Sequence, residues 1–126
     1  MAKILLVDDD RDLASLTRTT LIKHGHEVFV FHEASRAIEH ARQQNPDLIL
    51  MDIMLPQMSG AQAVKKMQEV PGLQNVPVIF LTGLVSSAEE DLEKTGINID
   101  NRTYKTLGKP FEIEELLKVI DSYVGD

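Results

Sequence analysis

Almost wholly apolar runs of strand length occur at 4–7, 28–31, 48–51 and 78–81, and between them apolar residues recur at helical spacing. Leu13, Leu16, Thr20 and Leu21 are expected on one helix face, and Ala34, Ala37, Ile38 and Ala41 on a second. Ile113, Leu116, Leu117, Ile120 and Val124 form the clearest stripe of all. The punctuation agrees: Gly25 closes the first helix, Asn45-Pro46 leads into the third strand, Ser59-Gly60 opens the third helix, and Gly72 and Pro77 bracket the loop before the fourth strand. The weakest strand is at 102–107, where alternation is partial and an irregular stretch at 96–101 precedes it. Its polarity suits a sheet edge better than a centre. The order reads βαβαβαβαβα.

Strands alternating with helices make a parallel sheet covered on both faces. Right-handed crossovers then lead to an α/β fold, a doubly wound three-layer sandwich of the flavodoxin-like type with five parallel strands in the order 2-1-3-4-5. That order sets strands 1 and 3 side by side. The crevice beyond their carboxyl ends is where open α/β sheets bind ligands.

A chain of 126 residues suggests one domain, 1–126, with one core. The 20 acidic residues outnumber the 13 basic ones, and the bases are scattered, so no surface concentrates positive potential and a nucleic-acid partner is disfavoured. There is no cysteine, which excludes disulfides and thiolate chemistry. The amino-terminal apolar run is too short for a secretory signal, and no stretch reaches membrane-spanning length; a cytoplasmic location is expected.

Acids gather where the crevice is expected. Asp8, Asp9 and Asp10 follow the first apolar run and Asp52 follows the third. Brought together at one rim they repel, and a divalent cation such as Mg²⁺, which prefers oxygen ligands and needs only one or two protein carboxylates, would offset the charge. Asp10 fits the N-cap of the first helix better than a metal site. Thr82 ends the fourth strand, and Lys109, followed by Pro110, ends the fifth. Singly these would be a turn residue and a surface lysine. Together with a carboxylate cluster they are the parts for phosphoryl transfer to a carboxylate: a nucleophile, and groups that neutralise charge on the phosphoryl oxygens. His24, His26, His32 and His40 show no ligand spacing and read as surface or half-buried residues. Met51, Met54, Met58 and Met67 read as core filling, and Gly83 and Gly108 as points of close backbone approach.

In the sequence Asp8-Asp9, Asp52, Pro56, Gly60, Thr82 and Lys109-Pro110, the chain resembles the CheY-like response-regulator receiver family of two-component signalling over essentially its whole length. The resemblance implies a phosphorylation switch. Asp52 would be the phosphoacceptor, with Mg²⁺ held by Asp8, Asp9, Asp52 and the Met54 backbone carbonyl. Thr82 would be the switch hydroxyl and Lys109 the phosphoryl partner. Such a protein catalyses only its own modification. Its partners would be a histidine kinase or phosphotransfer protein as donor, and an output protein or a second copy on the face of the fourth helix, fifth strand and last helix.

Two features depart from the family pattern. The stretch from Thr82 to Lys109 is several residues longer than is common, and the aromatic residue usually found three places before the lysine is replaced by Thr106, with Tyr104 two places earlier. The alternatives are a bulge that re-aims Tyr104 or signalling through loop and helix rearrangement alone, and the extra residues around 97–102 are available to a partner. Met54 and Leu84 flank the site and cannot orient an attacking water, so slow hydrolysis is expected. A constitutive binding module of the same fold is the rival reading, against which the full set of five residues argues. A flavin site is disfavoured by the lack of a phosphate-cradling loop after the first strand and by the acids there.

Overall fold

The computed structural model describes residues 2–82, 97–99, 102–108 and 111–124, the side chains of Ile97 and Val124 excepted. Lys109, Pro110, Gly83 and Leu84, and positions 96, 100 and 101 of the stretch read as irregular, lie outside the described residues. The elements are β1 (Lys3–Val7), α1 (Arg11–Lys23), β2 (Glu27–Phe31), α2 (Ala34–Gln44), β3 (Leu48–Asp52), α3 (Gly60–Gln68), β4 (Val78–Thr82), β5 (Ile97–Ile99), β6 (Arg102–Gly108) and α4 (Ile113–Val124).

The sheet runs β2-β1-β3-β4-β6-β5. β2, β1, β3, β4 and β6 are parallel and are the five strands expected, in the order expected. The difference lies at the edge. Ile97–Ile99, read from sequence as irregular, is a sixth strand, antiparallel to β6 with Ile97 opposite Tyr104 and Ile99 opposite Arg102. The strand at 102–107 is therefore not the outermost one. Its polar residues Arg102, Thr103 and Lys105 stay exposed while Tyr104, Thr106 and Leu107 are buried.

Strand alternation divides the apolar side chains into two cores, one on each face. Leu5, Val7, Ile49, Met51, Phe80 and Tyr104 pack against Ala34, Ala37 and Ala41 of α2 and Ala63, Val64 and Met67 of α3. Ile4, Leu6, Leu48, Leu50, Ile79, Leu81 and Leu107 pack against Ala14 and Leu21 of α1 and Leu116 and Ile120 of α4. β3 lies at the centre and is buried along its whole length.

Helix ends follow local chemistry. Asp10 caps α1, its side chain accepting from Leu13 N at 3.0 Å. Ser59 and Gln62 close a reciprocal capping box on α3. Gly25, at φ +89°, ends α1 in the left-handed conformation that a side chain would strain. The face of α1 differs from the sequence reading: its buried residues are Ala14, Thr17 and Leu21, whereas Leu16 is 65% exposed and Thr20 turns its hydroxyl back to Leu16 O. Among the described residues no helix is long and apolar enough to cross a membrane.

Candidate functional site

β1 and β3 are neighbours, with Val7 opposite Met51, so Asp8 and Asp52 end adjacent strands at the same level. They also continue the same side of the pleat, Asp8 following Ile4 and Leu6, and Asp52 following Leu48 and Leu50. The result is a cluster in which Asp8, Asp9 and Asp52 each offer a carboxylate oxygen within 4.8 Å of the others. Asp8 is 1% exposed, Asp52 is 4% exposed, and Asp9 faces solvent. Asp10 stands apart from this cluster as the α1 cap.

The backbone around the acids is held from several directions. Asp8 N donates to Phe31 O at 3.0 Å, and Asp10 N donates to Asp8 Oδ1 at 2.9 Å. The Asp8 carbonyl accepts from His32 Nδ1 at 2.8 Å. On the other side, Met54 N donates to Asp52 Oδ1 at 3.1 Å, and Ile53 N donates to Leu81 O at 2.9 Å. The turn after β3 folds back tightly: Met54 bridges Ser59 and Gly60 N donates to Ile53 O at 2.7 Å. Gly60 sits so close that a Cβ there would stand 2.3 Å from the Asp52 carbonyl oxygen. This is the physical reason for glycine at that place in the motif. Met54 itself is 64% exposed, so it is not the core residue its apolar character suggested.

Thr82 ends β4, is 2% exposed and pairs in register with Gly108 of β6. Asp52 pairs with Leu81, so Thr82 stands one position further along the same rim. Lys109 follows Gly108 in sequence and lies outside the described residues, as does Leu84. The structure therefore brings Asp8, Asp9 and Asp52 together with Thr82 on the adjoining strand end.

Tyr104 does not reach this rim. It is buried under the sheet, edge-on to Phe80 with ring centroids 5.8 Å apart, and Gln68 Nε2 at the end of α3 donates to its hydroxyl. Thr106, two residues nearer the site on the same strand, is also buried. The metal-type cluster among the described residues holds Asp8, Asp9 and Asp52 and no histidine. His40 lies against Phe29 and Phe31, at centroid distances of 4.6 and 5.0 Å, and burial lowers its pKa. Its Nε2 has no hydrogen-bond partner among the described residues. His26 accepts from Ala2 N, and burial lowers its pKa too. The contact of His32 with Asp8 left no mark in the sequence, because it joins a side chain to a carbonyl 24 residues away.

The sequence pattern of the response regulator receiver domain matches residues 4–121. The chain belongs to the response regulator receiver family. It is 31% identical over its full length to the polar-differentiation response regulator DivK of Brucella ovis, covering 99% of that protein. Among solved structures it resembles the chemotaxis protein CheY4 of Vibrio cholerae, at 28% identity and a TM-score of 0.83, over 98% of each chain. It equally resembles the receiver domain of the sensor histidine kinase PA1611 of Pseudomonas aeruginosa, at 28% identity and a TM-score of 0.82, over 99% of this chain and 98% of that one. The latter structure has a magnesium ion coordinated in its active-site cleft. Receiver domains are signalling domains of two-component systems, with phosphorylation as their general switch and histidine kinases and output domains as their general partners. The family binds Mg²⁺ in its active site, and the three-carboxylate cluster here is an all-oxygen, anionic donor set that fits that ion.

Proposed function

We propose that the protein is a phosphorelay switch in which Asp52 accepts a phosphoryl group from a histidine kinase or phosphotransfer protein. The observation that carries this reading is the convergence of the Asp8, Asp9 and Asp52 carboxylates within 4.8 Å at the switch point of the sheet. Three acids held together with two of them buried are costly without a cation, and the proposed ligands for Mg²⁺ are Asp8, Asp9, Asp52 and the Met54 carbonyl. When bound, Mg²⁺ supplies charge neutralisation at the phosphoryl oxygens.

The chain's own groups do the rest. An Asp52 carboxylate oxygen attacks phosphorus, the donor's P–N bond breaks, and the leaving imidazole takes up a proton. Met54 N, already bonded to Asp52 Oδ1, orients the nucleophile. Thr82 donates its hydroxyl to a phosphoryl oxygen, and Lys109 offsets a second negative charge. Added charge at the rim then biases the partner surface of β6 and α4, where an output protein or a second copy docks. Cytoplasmic histidine kinase domains are the matching donors.

Incubation with Mg²⁺ and acetyl phosphate tests this. The expected result is a gain of one phosphoryl group, labile to base and hydroxylamine, that maps to Asp52 and is absent in Asp52→Asn and in EDTA. Absence of the adduct in the unsubstituted protein, or its presence in Asp52→Asn, overturns the assignment. The first outcome favours a constitutive binding module.

A further inference from the structure

We infer that His32 is a positioning residue for the cation site, acting through the peptide that joins Asp8 to Asp9. The inference rests on the proposed role of those acids. His32 follows β2, on the strand beside β1, and its Nδ1 lies 2.8 Å from the Asp8 carbonyl oxygen. A carbonyl oxygen can only accept, so Nδ1 carries the hydrogen and His32 is the donor.

The position of this bond matters. The Asp8 carbonyl and the Asp9 N–H belong to one rigid peptide plane, so fixing the direction of the carbonyl fixes the path of the chain into Asp9. Asp8 N is already tied to Phe31 O at 3.0 Å, and Asp10 N to Asp8 Oδ1 at 2.9 Å. His32 adds a further restraint, on the link between the buried acid and the exposed one. Mutual repulsion pushes the three carboxylates apart, and Asp9, facing solvent, is the one free to swing outward. A donor on the Asp8 carbonyl opposes that swing. His32 thus preorganises the acid pair without touching the ion.

The geometry sets a discriminating experiment, because the side-chain amide nitrogen of asparagine falls where Nδ1 stands, while that of glutamine falls one bond further out. Mg²⁺ is titrated into the full chain at constant pH, and backbone amide chemical shifts give the dissociation constant. Removing one such hydrogen bond in His32→Ala is expected to weaken Mg²⁺ binding about three- to tenfold. His32→Asn restores it to within about twofold, and His32→Gln does not. Urea midpoints recorded alongside separate this effect from folding, and should His32→Ala not fold, the Asn and Gln variants decide. Wild-type affinity in His32→Ala, or equal weakening in Asn and Gln, overturns the role of His32 alone. An unsubstituted protein that binds no Mg²⁺ overturns the site itself, and this inference with it.

Discussion

Gly60 is the residue at which the loop after β3 has no room to spare. A Cβ at 2.3 Å from the Asp52 carbonyl oxygen meets backbone rather than a movable side chain, so Gly60→Ala must displace the strand end that carries Asp52. The expected cost is at least about 1–3 kcal/mol, the range for overpacking, read as a lowered urea midpoint together with slower acetyl phosphate labelling. Met54 gives the opposite case. It is exposed beside the site and cannot orient water, so Met54→Glu is expected to speed loss of radiolabelled phosphate several-fold with little change in stability. Asp8, Asp52 and Thr82 were legible in the sequence because each directly follows an apolar run of strand length, and Asp9 because it stands next to Asp8. Gly60 was legible as a helix-opening residue, but its reason, the approach to Asp52, needs the folded turn. His32 was not legible at all, since a bond to a distant carbonyl has no spacing rule.

At the scale of elements, α1 shows how an apolar stripe can be read one step off. Leu13, Leu16, Leu21 and Ile22 are the large apolar residues, yet the face on the sheet is Ala14, Thr17 and Leu21, whose small residues let the helix lie close. Leu21→Ala should therefore cost about 2–5 kcal/mol, and Leu16→Ala less than about 0.5 kcal/mol, by urea denaturation. The β5–β6 edge was missed for a different reason. Ile97-Asn98-Ile99 is only three residues of alternation, too short to stand out, although the following Asp100-Asn101 consists of residues that hairpin loops favour. Once that strand is in place, Tyr104 is a core residue of β6. With Phe80 on one side and Gln68 on its hydroxyl, it holds α3 to the sheet. Tyr104→Ala should lose about 3–5 kcal/mol of stability yet retain labelling at Asp52 below its melting temperature. Loss of labelling in the folded variant would refute that separation.

At the scale of the whole molecule, pH acts through residues outside the carboxylate cluster. Burial, aided by the charge of Lys3, lowers the pKa of His40 below the ordinary 6.5, and burial lowers that of His26 as well. A base with a depressed folded pKa binds its proton first in the unfolded chain. Stability is therefore fully present above about pH 6.5, falls as the pH drops below it, and levels off once the folded value is passed. Replacing His40 with leucine, which suits its place against Phe29 and Phe31, should flatten the fall in urea midpoint between about pH 7 and pH 5. An unchanged slope would show that His40 contributes nothing to acid sensitivity. The two-sided sheet has a consequence of its own. Asp8 and Asp52 extend the row of Ile4, Leu6, Leu48 and Leu50 on one side, whereas Thr82 extends the row of Val78 and Phe80 on the other. Any small anion gripped by both rows would stitch the two halves of the sandwich together at their common lip, so that tightening the grip is felt by both layers at once.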